Sequence, residues 1–581
     1  MNREGVVALH TCWRCGLPWL SRTVAIIGMI VVIGLLPWLA GHDPALALLR
    51  ARYGEQDATP EALHSIRATL GLAEGPWVAL RHWVWGILHG DAGHSWVSGH
   101  PIFPGMLRAL GVSLTLMGAS LIVAFCVAVL LCWPSMRQGL KGHLTQRTHC
   151  TAIALTALPE YLLATALLLV FAVWWRLLPP FGWENLRSLV IPALAMGMPA
   201  GGLLGRLALD RMTSVFGERW LLTWQCAGVT RTHIKRAVLR RVVPTLLPQI
   251  ALVVTGLTGG AIAVEKVLAI PGIGRATLGA VMAHDMPVVQ LGMLMLLGIA
   301  IMVRLVAEGI GRYGQGAAMA QQSMPVTAAP LPSRSARYAV MMTLMVLAVA
   351  IVIGSGRDPW GLNAARLAPP SWQLPLGADA LGRDILARLA HGALQTGGGA
   401  FVVVCGCLLI GSIVSLWPRA LAGVIDTANA MPTTVAGIVT AALFSPSPLG
   451  ALLAVMAVSW APLAAHAIAL REELEACPHM AMLPVLGVGP WRRITHHVLP
   501  VMVLPLLRHA MLRLPGAALA LAGLGFLGLG AQPPSPEWGA MLAAAVPYME
   551  RAPWGVLAPA LGLIMLAILA VSLTLVGRNV R

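Results

Sequence analysis

The sequence predicts an all-α protein that crosses a membrane about twelve times, as two parallel repeats of six helices. The 581-residue chain is 57% hydrophobic and only 11% charged, whereas a soluble protein of this size carries about a quarter charged residues. Its apolar residues fall into runs of about 20, the length that a helix needs to cross a bilayer core. Lipid cannot satisfy exposed backbone groups, so these runs are predicted to be helices.

The predicted spans form two groups of six, separated by a polar stretch. They lie near 23–40, 112–133, 150–175, 188–209, 242–263 and 288–310, and then near 338–355, 394–417, 421–444, 447–470, 498–525 and 553–576. Between the groups, 311–337 is rich in Gly, Pro and Gln and has no acidic residue, which predicts a flexible cytoplasmic linker. The predicted domains are therefore a first half, 1–310, and a second half, 338–581. Both halves start on the same side of the membrane, so the repeat is parallel.

The net charge of +17 is explained by orientation in a membrane, and no nucleic-acid partner is predicted. Residues 210–241 hold seven basic and two acidic residues, whereas the long loop 41–110 holds five Arg and six acidic residues. The positive-inside rule places 210–241 in the cytoplasm and 41–110 outside. Both termini are then predicted to be cytoplasmic. The basic segment 1–22 lacks a cleavage site, so the first span is predicted to be retained.

Two cytoplasmic segments about 260 residues apart share one plan, which is a short stretch of helix formers, a glycine and a basic run. The first runs from Glu218 to Gly228 and is followed by five Arg and Lys residues up to 241. The second runs from Arg471 to Gly487 and is followed by Arg and His. A glycine in the left-handed conformation is a common end of a helix. The repeat suggests two places where a soluble partner contacts the membrane part.

Longer motifs carry a resemblance to a known family. The segments Ala263-Val-Glu-Lys-Val-Leu-Ala-Ile-Pro-Gly-Ile-Gly274 and His284-Asp-Met-Pro-Val-Val-Gln290 resemble the first permease subunit of dipeptide/oligopeptide/nickel ABC importers, as do parts of 43–93. The second half resembles the partner permease in Pro375–Asp384 and Leu524–Gly539. The chain therefore resembles both permease subunits of these importers fused in one polypeptide.

This resemblance implies a type I importer-like fold and a permease subunit of an ATP-driven ABC importer in a bacterial inner membrane. The implied partners are two ABC ATPase subunits or domains, an extracytoplasmic solute-binding protein and membrane lipid. ATP and Mg would be bound by the ATPases, and this chain would need no cofactor and perform no enzymatic reaction. It contains no phosphate-binding Gly-x-x-x-x-Gly-Lys-Ser/Thr motif. The implied cargo is a peptide, nickel or a metal chelate, and the sequence does not choose among them.

The resemblance also assigns candidate sites. The two repeated segments, 213–235 and 471–493, become coupling segments that dock into grooves of the ATPases. The coupling candidates are Glu218, Trp220, Leu221, Trp224, Gly228, Glu475, Met482, Pro484 and Gly487. The gate or external-loop candidates are Glu265, Lys266, Pro271, Gly272, Asp379, Arg383, Asp384, Glu537 and Trp538. We expect Trp220, Leu221, Leu222 and Trp224 to provide one apolar docking face.

The chain departs from the family pattern inside both coupling segments. Where the family has an arginine, this sequence has Gln225 in the first segment and Pro484 in the second. A proline inside a helix removes a hydrogen bond and clashes with the preceding turn, at a cost of about 3 kcal/mol. We therefore expect the second coupling helix to be kinked or short.

Three alternatives follow from the ionisable residues. A proton-coupled secondary transporter would use buried carboxylates, for which Glu160 in the third span is the best candidate. A membrane-embedded enzyme lacks any catalytic cluster in the sequence. The external histidines suggest a metal site, but their spacing fits no helical ligand face. Dispersed surface histidines are therefore favoured, and no metal site is predicted. The nine cysteines form no recognisable framework.

Overall fold

The computed structural model describes residues 20–39, 59–69, 75–141, 147–156, 158–315, 334–418 and 420–576, together with Leu46 and Leu49. The helices of the first half are α1 (Leu20–Gly34), α2 (Leu36–Leu39), α3 (Pro60–Thr69), α4 (Pro76–Leu88), α5 (Ile102–Gly139), α6 (Arg147–Thr156), α7 (Glu160–Leu167), α8 (Val190–Phe216), α9 (Arg219–Cys226), α10 (Arg231–Val267), α11 (Ile273–Met282) and α12 (Met286–Gln315).

The helices of the second half are shorter on average than those of the first. They are α13 (Arg334–Ser355), α14 (Ile385–Val414), α15 (Ala422–Ala430), α16 (Thr433–Phe444), α17 (Pro448–Ser459), α18 (Ala461–Glu475), α19 (Pro478–Met482), α20 (Pro490–Arg493), α21 (Leu499–Met511), α22 (Leu514–Leu527), α23 (Trp538–Ala545) and α24 (Pro553–Val576). Two π-helical turns, Leu168–Trp174 and Ile494–Val498, and two 3₁₀ turns, Leu186–Leu189 and Val546–Tyr548, complete the described helices.

The predicted all-α, multi-pass fold is confirmed. Every predicted span overlaps one or more helices of the structure, and the described residues contain no strand beyond one isolated bridge between His94 and Pro101. In that part of the chain, five helices are each long and apolar enough to cross a membrane, or seven counting two bent pairs. The remaining predicted spans coincide with shorter apolar helices or with α10. Most of the predicted linker, 316–333, lies outside the described residues.

The chain folds into two compact units. Unit 1 comprises Met1–Asp91, Ala348–Asn363 and Arg383–Ala543. Its centre is α14, which packs against α18 and α22. The first helix of the chain, α1, belongs to this unit, because Arg22 forms an ion pair of 2.8 Å with Asp426 of α15. The backbone of Arg22 also fills the space where a Cβ of Gly423 would lie. A helix of the first half is thus packed against helices of the second.

Unit 2 comprises Ala92–Leu347, Ala364–Gly382 and Ala544–Arg581. Its most extensive packing joins α5 to α8. Along α8, Gly197, Gly201 and Gly205 recur every four residues, and a Cβ on each would lie 2.6–2.8 Å from a side-chain atom of α5. Small residues at this spacing let two membrane helices approach closely. The last helix of the second half, α24, belongs to this unit. Each compact unit therefore contains segments from both sequence halves.

Candidate functional site

The first repeated segment forms a two-turn helix, α9, that ends at Gly228. Glu218 occupies the position before the first helical residue, and Gly228 is left-handed with a φ of 71°. The backbone N–H of Val229 donates to the carbonyl of Trp224 at 3.0 Å, and that of Gly228 to Gln225 at 3.1 Å. This pair of hydrogen bonds is a Schellman motif, which satisfies carbonyls at a helix end. Any larger residue at 228 would be strained by the positive φ.

The four apolar residues of α9 do not form one docking face. Leu221 is only 4% exposed and packs in a core cluster with Met212, Ile234 and Val238 of the neighbouring helices. In contrast, Leu222 is 64% exposed and Trp224 is 39% exposed. Consecutive helical residues point about 100° apart, so residues 220–222 cannot share a face. Our expectation is therefore wrong for Leu221, which holds α9 onto its own unit and offers no surface to a partner.

Trp220 is also held within its own unit, by Glu218 and Arg241. Trp220 donates its indole N–H to Oε2 of Glu218 at 2.5 Å, and Arg241 donates Nη1 to the same oxygen. The guanidinium of Arg241 lies 4.8 Å from the centre of the Trp220 ring. Trp224 contacts Trp220 edge-on, with ring centroids 5.2 Å apart. The basic run after Gly228 thus fixes the start of α9, and Leu222 and Trp224 remain as its exposed apolar residues.

The second repeated segment ends in the same glycine-valine turn as the first. Gly487, which follows Gly228 by 259 positions, is left-handed with a φ of 77°. Val488 donates its N–H to the carbonyl of Leu483 and Gly487 donates to Pro484, both at 3.0 Å. The same spacing pairs the buried Leu221 with Met480, which is 3% exposed. Both segments are therefore built on one buried side chain and one glycine-ended turn.

The middles of the two segments differ. The helix α19 ends at Met482, two residues before Pro484, and so has five residues where α9 has eight. The expected shortening of the second helix is confirmed. Met482 is exposed, and Val485 and Leu486 beyond it are 76% and 72% exposed. Glu475 ends α18 and forms an ion pair of 2.8 Å with Arg471, one turn earlier. The second segment presents its apolar residues on an irregular turn.

Among the gate candidates, Glu265 is fully buried at the end of α10. Its Oε1 accepts a hydrogen bond of 2.5 Å from Ser113 of α5, and its Oε2 accepts the backbone N–H of Arg275 at 3.0 Å. The carboxylate occupies the space that a Cβ of Gly272 would take, so residue 272 must be glycine. The neighbouring Lys266 and Pro271 are exposed. Glu265 therefore joins the start of α11 to α5, while Lys266 lies on another face.

Glu537 makes a corresponding set of contacts in unit 1. Its carboxylate accepts the backbone N–H groups of Gly539 and Ala540 at 2.9 Å and fills the space beside Gly525 of α22. Thr396 of α14 donates to it at 3.5 Å. Burial raises the pKa of the Glu537 carboxyl to about 7. In unit 2 the glutamate, Glu265, lies on the long helix α10 and the glycine, Gly272, lies in the loop after it. In unit 1 the glycine, Gly525, lies on the helix α22 and the glutamate, Glu537, lies in the loop after it.

Two further gate candidates in unit 1, Trp538 and Asp384, lie at the first turns of α14. Trp538 is 1% exposed and donates its indole N–H to the carbonyl of Leu389 at 2.9 Å. Asp384 caps α14 by accepting the N–H of Leu386 at 2.8 Å, and it forms an ion pair of 2.8 Å with Arg357. Both side chains therefore fix the first turns of α14.

The start of α14 also contains two buried arginines. Arg383 is buried next to Asp384. Arg388 donates to the carbonyls of Pro534 and Ser535 at 3.4 and 3.1 Å, which holds the loop before Glu537 on α14. Our sequence reasoning missed Arg388, and the only local signal is an arginine four residues after the capping Asp384.

The last gate candidate, Asp379, lies in unit 2 and shapes a turn. Its Oδ1 accepts the N–H of Leu381 at 2.9 Å, and its carbonyl accepts those of Leu367 and Gly382 at 3.0 Å. A second turn of this unit is held by Asp285, which lies in the motif His284–Gln290 but was not among the gate candidates. Asp285 accepts the N–H of Trp96 at 3.0 Å and the hydroxyl of Ser95. The end of the long loop is thus tied to the α11–α12 turn.

The described residues of these sites include exposed apolar side chains and buried carboxylates. Within the ranges that the structure covers, no group of three or more His, Cys, Asp or Glu side chains is placed to hold a metal ion. His89 is bound to the carbonyl of Trp85, one turn earlier, through Nδ1 at 2.9 Å. His42, Asp43 and Pro44 lie outside the described residues. The glycine-ended segments and the buried carboxylates are therefore the candidate functional features of the described residues.

Comparison with known proteins identifies the same two repeats. Residues 144–315 and 403–579, together more than half of the chain, each match the family described as "binding-protein-dependent transport system inner membrane component". A putative peptide transport system permease protein of Brucella abortus (strain 2308) is 26% identical over 297 residues, covering 48% of this chain and 90% of that protein.

Two further relatives are also matched over most of their own length. A metal-staphylopine import system permease protein of Staphylococcus aureus (strain Mu50) is 24% identical over 276 residues, covering 47% of this chain and 88% of the relative. A peptide transport system permease protein of Escherichia coli O6:H1 is 35% identical over 254 residues, covering 40% of this chain and 84% of the relative. Each of these relatives is nearly covered by about half of this chain.

Proposed function

The chain belongs to the family of inner-membrane components of binding-protein-dependent transport systems, and on that premise we propose that it supplies both permease halves of an ATP-driven importer. The single observation that supports this is the double family match at 144–315 and 403–579. Each relative is nearly covered by half of this chain, so two permease subunits are fused in one polypeptide. The chain is a multi-pass membrane protein, and we propose that both of its termini are cytoplasmic.

The two glycine-ended segments are the proposed docking sites for two ABC ATPase subunits or domains. Both present exposed apolar side chains, Leu222 and Trp224 in the first and Met482, Val485 and Leu486 in the second. Both are fixed to their own unit by a buried residue, so movement of a docked partner would be transmitted to the membrane helices. ATP and Mg would be bound by these partners, and this chain would catalyse no reaction.

The proposed cargo is a peptide or a metal chelate, including nickel, delivered by an extracytoplasmic solute-binding protein. The family name itself specifies dependence on a binding protein. The names of the relatives refer to peptide transport and to import of metal-staphylopine. The proposed docking surfaces for this solute-binding protein are 41–110, 356–393 and 526–552. The buried carboxylates Glu265 and Glu537 would keep α11 and α23 rigid during alternating access.

The alternative of a proton-coupled secondary transporter is less well supported. Glu160, its best candidate, lies in the third predicted span with its carboxylate 3.1 Å from the position of a Cβ on Gly260. A close approach to a glycine indicates tight helix packing, which needs no proton. Family membership favours ATP as the energy source.

Reconstitution tests the proposal directly. The full chain, expressed with its neighbouring ATPase and binding-protein genes and purified from membranes, should carry an ATPase with it. In proteoliposomes it should take up a labelled peptide or a labelled nickel chelate only with ATP, and vanadate should stop this uptake. Uptake that persists under vanadate, with no ATPase co-purifying, would contradict the proposal.

A further inference from the structure

A cluster of basic side chains lies inside unit 1, away from the sites described above. His466 of α18 stacks on His509 of α21, with ring centroids 4.1 Å apart and an angle of 23° between the rings. Arg513, in the break between α21 and α22, donates Nε to Nε2 of His509 at 3.4 Å. All three side chains are half-buried and lie within the predicted spans 447–470 and 498–525. Ionisable groups at such positions commonly mark substrate or ion pathways.

The charge of this cluster is not balanced. Because Nε2 of His509 accepts a hydrogen bond, that ring is neutral and carries its proton on Nδ1. No described acidic side chain forms an ion pair with Arg513, and its two terminal guanidinium nitrogens donate no hydrogen bond within the part of the chain covered by the structure. A cation with free donors inside a membrane protein is costly. Nη1 and Nη2 therefore keep unused donors that an anionic ligand could satisfy.

The backbone adds to the positive potential at this place. The span that contains Arg513 is broken, because α21 ends at Met511, α22 begins at Leu514, and the two axes are bent by 41°. The N-terminus of a helix carries a partial positive charge, and α22 has 14 residues. In other transporters, broken membrane helices direct such ends toward the anionic group of a substrate. The N-terminus of α22 and the guanidinium of Arg513 thus both favour an anionic ligand.

We propose that Arg513, with the stacked pair His466 and His509, binds a carboxylate of the cargo during its passage through the membrane. The planar guanidinium binds a carboxylate through two parallel hydrogen bonds, which gives direction as well as affinity. Peptides carry such a group at their C-terminus. This inference rests on the proposed transport function only in calling the ligand cargo, and the binding site itself is tested without ATPase or transport.

The test measures protection of the two histidines. The full chain, in nanodiscs of zwitterionic lipid, is treated with diethyl pyrocarbonate, and mass spectrometry follows modification of His466 and His509. The probes are the dipeptide Ala-Phe, its C-terminal amide, and sodium chloride at equal concentration. At a dipeptide concentration of about twice its Kd, a single-site ligand should slow modification about threefold. The amide and chloride should leave both rates unchanged, and His89 is the internal control in every sample.

Matched variants identify the group that binds. Arg513→Gln should abolish the protection, and Arg513→Lys should weaken it because the fork is lost. Arg508→Gln, which replaces an exposed arginine on α21, should preserve it. Equal protection by the amide or by chloride would overturn the proposal, as would no protection by Ala-Phe. If His466 and His509 are already protected without peptide, and this protection disappears when the lipid is removed, the site binds a lipid headgroup and the proposal is overturned. If Ala-Phe protects the two histidines but no ATPase co-purifies with the chain, that result would contradict the proposed transport function and leave the binding site standing.

Discussion

The two glycine-ended segments have the same ends and different middles. Each has a buried side chain near its start, Leu221 or Met480, and a left-handed glycine 7 positions later, Gly228 or Gly487. Between these points, the first segment is a regular helix, whereas the second leaves the helix at Met482 and continues as a turn. The exposed apolar side chains accordingly lie on a helix in one segment and on an irregular turn in the other.

The shorter helix of the second segment follows from the backbone groups that Pro484 has and lacks. Proline lacks a backbone N–H but keeps its carbonyl. The Schellman turn uses the carbonyls of residues 483 and 484, so Pro484 preserves the turn while removing the donor that would extend the helix. The glycine-ended turn is therefore the same in both segments even though their helices differ in length. We therefore expect both segments to dock an ATPase, with different strength.

The largest expected effect comes from replacing either glycine by proline. Gly228 and Gly487 have φ values of 71° and 77°, which proline cannot adopt, and both donate a backbone hydrogen bond. Gly228→Pro and Gly487→Pro should each abolish ATP-driven uptake while leaving the chain inserted in the membrane. Uptake in proteoliposomes and the amount of membrane-extracted protein provide the two measurements.

The controls are glycines that flank the two segments. Gly217 has a φ of −80° and Gly489 a φ of −63°, and alanine fits both. Gly217→Ala and Gly489→Ala should retain uptake. If Gly487→Pro transports as well as the unmodified chain, the second segment is not a coupling element and the comparison fails.

The next effect concerns the two buried side chains. Leu221→Ala and Met480→Ala should each destabilise the local packing by roughly 2–5 kcal/mol, because each removes buried apolar volume. Thermal unfolding of the purified chain and pull-down of the ATPase should both be impaired. Leu222→Ala, at an exposed position, should weaken the pull-down without changing thermal stability. Equal stability of the Leu221→Ala and Leu222→Ala variants would show that burial does not hold α9 in place.

A smaller effect comes from exchanging the differing residues. Gln225→Pro should shorten α9 and cost about 3 kcal/mol of helix stability, which should weaken ATPase binding to the first segment. Pro484→Ala restores a backbone donor and should lengthen α19, so that ATPase binding becomes a few-fold tighter. Pull-down affinity measures both changes. An affinity that stays constant or decreases in Pro484→Ala would show that the irregular turn is the preferred docking shape.

Periodicity and composition predicted the helices, and turn chemistry predicted the glycine ends. Runs of apolar residues near 20 long located the spans, and the proline at 484 predicted a short second helix. The burial of Leu221 and of Met480 was not predicted, because it depends on neighbouring helices that are distant in sequence. The same holds for Ser113 and Thr396, the hydroxyl partners of Glu265 and Glu537. No local pattern predicts that α1 packs with the second half.

Counting the docked ATPases tests the central claim most directly. Where the two ATPases are separate polypeptides, native mass spectrometry of the purified chain with them should give a complex of one chain and two ATPase subunits. Gly228→Pro and Gly487→Pro should each reduce this number to one, and the double variant should reduce it to none. A wild-type complex with a single ATPase, or one that only Gly228→Pro disrupts, would contradict the account of two working coupling segments.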